Sequence, residues 1–111
     1  MHELSLCRSI AEISLRHAGG RPVAVVRVKV GHLRQVVPGT LESCFALVVS
    51  ETELAGAVLE VLEVPAEVRC RDCGTVTVLD RFELRCGGCG GSDLDVLAGE
   101  EFFVESLEVL D

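Results

Sequence analysis

The stretch CRDCGTVTVLDRFELRCGGC, residues 70–89, has the most informative spacing in the chain. It contains two Cys-x2-Cys pairs separated by twelve residues, Cys70 with Cys73 and Cys86 with Cys89. The two-residue spacing allows one tight turn to present both thiolates of a pair to the same ion, at about 2.3 Å for zinc. Four thiolates complete a tetrahedral site and leave no position for water, which is typical of a structural site. The spacing therefore predicts one structural Zn(II) ion held by these four cysteines.

Paired cysteines also occur in redox dithiols and in iron sites. A thioredoxin-type motif normally occurs once, at the start of a helix inside a βαβ unit. Residues 66–98 lack the pattern of such a unit, because glycine is dense there and long apolar runs are absent. Val76 to Leu84 predicts a hairpin that separates the two cysteine pairs. Zinc is the favoured interpretation.

Upstream of this stretch, helical and strand periodicities alternate. Residues 3–18 predict an amphipathic helix, 22–30 a strand, 40–51 a second helix with Thr40 as its N-cap, and 57–64 another strand. The predicted buried stripe of the first helix consists of Leu6, Ile10, Ile13 and His17, flanked by Cys7 and Ala11. These elements make a mixed helix and strand domain the expected class.

Downstream, residues 101–110 return to a strand pattern. Its predicted apolar face consists of Phe103, Leu107 and Val109. This face needs a sheet to pack against, and the cysteine-rich segment is too small to supply one. We therefore expect the last strand to join the first sheet, with residues 66–98 inserted between two strands. The predicted domains are 1–65 plus 99–111, and the zinc-binding residues 66–98.

Charge limits the possible partners. The chain has 111 residues and a formal net charge of -8, and hydrophobic residues make up 49% of it. Nucleic-acid binders need Lys and Arg to neutralise phosphates, and this chain is short of both. A metal ion or a basic protein surface is electrostatically the more natural partner, and acidity that serves solubility alone is the alternative.

The chain is predicted to be cytoplasmic and free of membrane spans. Its longest apolar run, Cys44 to Val49, has only six residues, and the N-terminus lacks the basic start of a signal peptide. In a reducing cytosol, six cysteines are better interpreted as metal ligands and free thiols than as disulfides. Cys7 and Cys44, on the apolar faces of the two helices, are predicted to be small core residues.

The N-terminus offers a second set of metal ligands. The amine of Met1, the following amide nitrogen and the imidazole of His2 can close adjacent chelate rings around one ion. The amide nitrogen of Glu3, or an outside donor, would complete a square plane. Nitrogen ligands in that geometry select Ni(II) or Cu(II). A solvated His2 with no metal is the alternative on chemistry alone.

Taken together, these features resemble the HypA family of hydrogenase maturation nickel metallochaperones. The resemblance extends over the chain, including MHELSL at the start and ESLEVLD at the end. It also includes Val36-Val37-Pro38 before the second helix and EVPAEVRC, residues 63–70. The N-terminal tripeptide and the paired cysteines, at separate places in one short chain, make the resemblance specific.

The resemblance implies an α+β fold, with two helices on a three-stranded sheet and an inserted zinc-ribbon-like module. It implies that His2 is a nickel ligand, aided by the terminal amine of Met1 and the backbone of Glu3. It further implies delivery of Ni(II) to the large subunit precursor of [NiFe] hydrogenase, together with a GTPase accessory protein. Some relatives also serve urease.

Two other function classes are weaker. A zinc-ribbon module for protein or nucleic-acid interaction, without nickel transfer, would need a basic face or stacking aromatics, and residues 66–98 contain only Phe82. An enzyme would need a nucleophile, base and orienting group, and no such set can be assembled. We therefore predict a protein that binds and transfers metal without catalysis.

Overall fold

The computed structural model describes residues 3–80 and 83–110 of the chain. Its helices and strands are α1 (Glu3–Ala18), β1 (Val23–Gly31), α2 (Pro38–Val49), β2 (Val58–Val64), β3 (Ala66–Cys70), β4 (Val76–Leu79), β5 (Leu94–Ala98) and β6 (Phe102–Val109). The strands form two three-stranded sheets, ordered β2-β1-β6 and β4-β3-β5. The predicted α+β class, with two helices and a separate cysteine-bearing module, is confirmed.

Helix α1 has the predicted bounds but a different buried face. Its buried residues are Cys7, Ile10, Ala11, Ser14 and Ala18. The predicted stripe was wrong at Ile13, which is 37% exposed, and at His17, which is also exposed. Small residues at positions 7, 11, 14 and 18 repeat with the same helical rhythm, one position further along, and they allow α1 to pack closely.

Helix α2 begins earlier than predicted. Val37 is its N-cap, and Pro38 occupies the first turn, where the missing backbone N–H is not needed. The prediction of Thr40 as N-cap was therefore wrong, and this residue lies inside the helix. Leu41, Phe45 and Val49 are buried at helical spacing.

The first sheet is built around β1. Strand β1 pairs in parallel with β2, across the α2 connection, and antiparallel with β6, so the last strand returns to the first sheet as expected. Its valines at 26, 28 and 30 are buried. On the opposite face Arg27 lies 3.0 Å from Glu108 and 3.5 Å from Glu60. These ion pairs link β1 to β2 and to β6 on the face of the sheet that points away from the core.

A bulge in β6 changes which aromatic residue packs into the core. Arg27 pairs with Ser106 but Val28 pairs with Val104, which leaves Glu105 without a partner in the register. Before the bulge, Phe102 and Val104 pack on the core. The prediction that Phe103 faces inward was wrong, and its side chain is 47% exposed. The inserted residue reverses the period-2 alternation, which a sequence pattern cannot reveal.

The second sheet lies in the cysteine module, residues 66–98, and has a much smaller core. Buried Ala66, Val68 and Leu79 form this core, and Leu94 packs against it. Leu33, from the 3-10 turn that follows β1, also packs there. The first sheet's connecting loop therefore completes the core of the cysteine module.

Backbone contacts join the two sheets at this loop. The Gly31 N–H donates to the carbonyl of Glu101 at 2.7 Å, and the Leu33 N–H donates to that of Gly99 at 2.9 Å. A Cβ atom on Gly31 would lie 2.0 Å from the backbone of Gly99. Only glycine allows this close approach. Within residues 3–80 and 83–110, no helix is both long and apolar enough to cross a membrane.

Candidate metal centre

Two turns of the same design carry the four cysteines. In the first, the Gly74 N–H donates to the carbonyl of Cys70 at 2.9 Å. In the second, the Gly90 N–H donates to the carbonyl of Cys86 at 3.0 Å. Gly74 and Gly90 have φ values of +76° and +74°, the left-handed conformation that glycine adopts without strain. Each Cys-x2-Cys pair therefore forms a tight turn that directs both sulfurs to one side.

The four sulfurs form one cluster. All of them lie within 4.8 Å of one another. The Sγ atoms of Cys70 and Cys89 are 3.6 Å apart, and those of Cys73 and Cys86 are 3.5 Å apart. A tetrahedral site with metal–sulfur bonds of about 2.3 Å has sulfur–sulfur edges of about 3.8 Å. The donor set and its spacing therefore fit a four-coordinate thiophilic ion, and the residues predicted to bind zinc are brought together.

Backbone amides around the cluster favour thiolates. The N–H groups of Gly88 and Cys89 donate to the Cys86 sulfur at 3.3 and 3.4 Å, and these bonds lower the pKa of Cys86. Beside Cys73, the Thr75 hydroxyl lies 3.2 Å from the sulfur and helps to lower the pKa of that thiol to about 6. Metal ligation requires thiolates, so these donors prepare the site for a cation.

Without a cation the four sulfurs cannot all be ionised together. The Gly91 amide favours the Cys89 thiolate, but the neighbouring sulfurs outweigh it and raise the pKa of Cys89 to about 12. Crowded negative charge of this kind is what a divalent ion neutralises. The cluster therefore has the electrostatics of a metal site.

The second turn rests on β4. The Gly87 N–H donates to the hydroxyl of Thr77 at 3.0 Å, and a Cβ on Gly88 would come 2.9 Å from the hydroxyl of Thr75. The predicted hairpin over Val76 to Leu84 was wrong. Strand β4 pairs with β3 instead, and the residues at 83–86 are not in a strand. Strand β3 ends at Cys70, so the first Cys-x2-Cys turn is itself the turn between the two paired strands, which the sequence analysis had interpreted only as a metal-binding turn.

Arg71, whose contacts the sequence analysis did not predict, connects the first turn to the segment that follows the second turn. Its guanidinium lies 2.6 Å from a carboxylate oxygen of Asp95 and 3.3 Å from one of Asp93. The backbone N–H of Arg71 also donates to the backbone carbonyl of Asp93 at 2.9 Å. Arg71 also lowers the pKa of Asp95. These partners follow the second cysteine pair, so the ion pairs bring the two ends of the module together. No periodicity or motif in the sequence indicates a pairing over this separation.

The predicted nickel ligands are only partly covered by the structure. Met1 and His2 lie outside the described residues, so this ligand set stays a prediction. Glu3 is the first residue of α1 and is partly exposed. Among the residues that the structure describes, the four cysteines form the only group of three or more potential ligands.

The two remaining cysteines lie between the helices. Cys7 is fully buried, and its thiol donates to the carbonyl of Leu41 at 3.4 Å. Burial, together with the nearby thiol of Cys44, raises the pKa of Cys7 to about 12. The prediction of a small core residue is confirmed for Cys7, while Cys44 is only partly buried against the core.

A comparison with protein families supports the interpretation of these features. Residues 1–109 match the family model described as "Hydrogenase/urease nickel incorporation, metallochaperone, hypA". The chain belongs to the HypA family. Its relatives include the hydrogenase maturation factor HypA of Geotalea uraniireducens, 44% identical over 98% of this chain and 99% of the relative. HypA of a Nostoc species is 37% identical over 98% and 96%.

Solved HypA structures have the same fold. The solution structure of the Ni metallochaperone HypA from Helicobacter pylori matches with a TM-score of 0.68 and 24% identity, over 99% of this chain and 98% of that one. A second HypA solution structure matches with a TM-score of 0.58 and 23% identity, over 96% and 90%. At these identities the structural likeness establishes the fold, and the family match establishes the functional class, nickel incorporation and hydrogenase maturation. The resemblance predicted from the sequence is confirmed.

Proposed function

We propose that this protein is a nickel metallochaperone that binds Ni(II) at its N-terminus and delivers it to the [NiFe] hydrogenase large subunit precursor. The observation that carries the proposal is the closed cluster of four cysteines in a chain of the nickel-incorporation family. Four thiolates saturate a tetrahedral ion and hold it tightly, whereas cargo must be released. The cargo site therefore has to lie elsewhere in the chain.

The cluster itself is proposed to hold Zn(II) as a structural ion. Zinc is the common occupant of closed four-cysteine sites with this spacing, and it has no redox chemistry of its own. Cys70 and Cys86 are buried while Cys73 and Cys89 are exposed, so protein covers one side of the site only. When bound, zinc would cross-link the two turns, and it would have no open position for a substrate.

The nickel site is proposed to consist of the Met1 amine, the His2 imidazole and backbone nitrogen up to Glu3. Helix α1 begins at Glu3, and the first N–H groups of a helix have no partner within it. The Glu3 nitrogen is therefore not needed for the helix and is available as a ligand. Nitrogen ligands in a plane suit Ni(II), and a short chelate at a chain end can be released to an acceptor. The proposal requires a free Met1 amine.

The two sheets support a division of the chain into two domains. We propose that residues 1–65 and 99–111 form the nickel-binding α/β domain and that residues 66–98 form the zinc-binding domain. The pairing of β6 with β1 supports the first part, and the confinement of the second sheet to Ala66–Ala98 supports the second. A GTPase accessory protein is the proposed partner in transfer, and the cytoplasm, where thiols stay reduced, is the proposed compartment.

Metal content tests the proposal. Zinc and nickel are measured after equilibration with Ni(II) and desalting, in the untagged chain, in His2→Ala and in a version with a few residues fused before Met1. We expect one zinc in all three proteins and one nickel in the untagged parent alone. His17→Ala is the matched control, because this exposed histidine on the same helix is outside the proposed site.

Retention of nickel with unchanged affinity in the fused version would contradict the N-terminal chelate. A nucleic-acid titration at low salt separates the alternative of a zinc-ribbon interaction module. We expect no binding, because the chain carries a net charge of -8. A tight complex that weakens with salt would favour that alternative.

A further inference from the structure

Helices α1 and α2 run parallel, and this brings two cysteines outside the metal centre together. Near their amino ends, the Cys7 thiol reaches the carbonyl of Leu41 in α2. Near their carboxyl ends, Leu15 lines one cleft with Glu51 to Glu53, just after α2. The two helices therefore stay in contact along their length, with the second turn of α1 against the first turns of α2.

Cys44 lies one helical turn after Leu41 and on the same side of α2. A helical carbonyl points along the axis toward the following turn, so a thiol bonded to the Leu41 carbonyl lies beside the turn that carries Cys44. In agreement with this, Cys44 is one of the neighbours that raise the pKa of Cys7. Two thiols thus face each other across a helix–helix contact.

We propose that Cys7 and Cys44 are an oxidation site and form a disulfide between α1 and α2 when the protein meets a hydroperoxide. The two differ in access, since Cys7 has no exposed surface whereas Cys44 is partly exposed. Cys44 is therefore the sulfur that a peroxide reaches first. Cys7 is the resolving thiol, held in place by the core.

The chemistry balances in two steps. The Cys44 thiolate attacks hydrogen peroxide, the O–O bond breaks, an S–O bond forms, and water leaves after protonation. The Cys7 sulfur then attacks the sulfenic acid of Cys44, forming the S–S bond and breaking the S–O bond. A second water carries away the sulfenic oxygen and the Cys7 proton. The peroxide is reduced to two waters and the two thiols are oxidised to one disulfide.

The link costs little in hydrogen bonding. The Cys7 thiol is a weak donor, and the Leu41 carbonyl keeps its bond within α2 when that donor is lost. The disulfide would tie α2 to the helix whose first residue is Glu3. A consequence for the nickel site rests on the proposed function, whereas formation of the disulfide does not.

Peptide mapping tests the proposal on the full, zinc-loaded chain. The protein is treated with hydrogen peroxide at doses from limiting to excess and then denatured near neutral pH in excess N-ethylmaleimide, so that every remaining thiol, including the buried Cys7, is blocked before digestion. Trypsin cleaves after Arg8, Arg34 and Arg69, so Cys7 and Cys44 fall in peptides 1–8 and 35–69, which contain none of the four clustered cysteines. We expect one linked species, lighter by two hydrogen atoms than the two peptides together, which dithiothreitol separates.

The controls use variants that remove one thiol each. Cys44→Ala should leave peptide 1–8 with a blocked, unoxidised Cys7, because the sulfur that peroxide reaches first is gone. Cys7→Ala should leave Cys44 to oxidise to the sulfinic acid or to link two chains.

If no linked species forms at any peroxide dose up to excess, and all of peptide 1–8 from the treated parent carries blocked Cys7, the proposal is overturned, whatever happens to Cys44. A link from Cys44 to one of the clustered cysteines would also overturn it. Both readouts are independent of nickel, so failure here leaves the proposed nickel function unaffected. If the His2→Ala protein binds no nickel but still forms the Cys7–Cys44 disulfide, the disulfide does not depend on nickel binding.

Discussion

The two three-stranded sheets of this chain are stabilised in different ways. The sheet β2-β1-β6 has α1 and α2 to pack against, and fourteen buried apolar residues among the described ones form its core. Of residues 66–80 and 83–98, three form the core of the sheet β4-β3-β5, with Leu33 and Leu94 packed beside them. Hydrophobic burial can stabilise the first sheet, but three residues, two of them Ala and Val, cannot stabilise the second. The cysteine module therefore depends on its metal and on contacts from outside.

Metal removal should have the largest effect and should be confined to one sheet. Structural zinc contributes roughly 10–16 kcal/mol in small zinc-binding peptides, so Cys86→Ser or chelation should unfold the cysteine module. Amide hydrogen exchange should show lost protection at Val68 in β3 and retained protection at Val28 in β1. Cys44→Ser is the control and should keep its zinc.

The same loss should follow a fall in pH, because protons compete with zinc for the sulfurs. The pKa of Cys73 is lowered to about 6, so its thiolate predominates at neutral pH and is lost progressively as pH falls through that value. Zinc content measured against pH should fall in that direction. If amide hydrogen exchange at low pH shows that β1 loses protection together with β3, the two sheets unfold as one unit.

Among the side-chain truncations, Phe45→Ala should lower the free energy of unfolding most, and it should leave the metal content unchanged. Phe45 is fully buried in α2 against the first sheet, and such truncations cost about 3–5 kcal/mol. Urea unfolding followed by circular dichroism measures this loss, and zinc content should be unchanged. Leu47→Ala on the same helix is the control, since Leu47 is 77% exposed and should change stability by less than about 0.5 kcal/mol.

Leu33→Ala should have a smaller effect, and it should destabilise the cysteine module rather than the first sheet. Leu33 belongs to the loop after β1 but packs on the core of the cysteine module, so its truncation should cost that module about 1–2 kcal/mol. Faster zinc release to a chelator, with an unchanged urea midpoint for the first sheet, is the expected result. An unchanged release rate would show that the module does not need this contact.

Arg71→Ala should give the smallest effect. Its ion pairs with Asp93 and Asp95 are exposed, and exposed pairs are screened by solvent and salt. Zinc release should become modestly faster at low salt, and the difference from the parent should shrink as salt is added. Arg85→Ala, which removes only the local pair with Glu83, should leave release unchanged.

Local patterns in the sequence were sufficient for both helices, for strands β1, β2 and β6, and for the cluster of four cysteines. Period 3.6 in residues 3–18, period 2 in β1 and the repeated Cys-x2-Cys spacing each depend on neighbours within a few residues, so they can be interpreted without the fold. The N-terminal tripeptide and the cysteine pairs together also identified the HypA family, which the family match over residues 1–109 confirms.

Other features were decided only when distant segments met. The bulge at Glu105 turns Phe103 outward, β4 pairs with β3 rather than with the segment after it, and α1 buries a stripe of small residues. Each depends on a partner strand or helix that local propensity does not specify. The Arg71 ion pairs and the contact of Cys7 with α2 have the same origin.

The clustering of the four cysteines, both helices and strands β1, β2 and β6 could thus be predicted from the sequence, because ligand chemistry and periodicity are local properties. Tertiary structure alone decided which face each segment buries, which strand it pairs with and how the two sheets join. Gly31 and Gly99 illustrate the difference, since nothing in the sequence shows that the backbones at these two positions lie too close together for a Cβ atom on Gly31. Packing complementarity is a property of pairs of surfaces, and it exists only once the chain has folded.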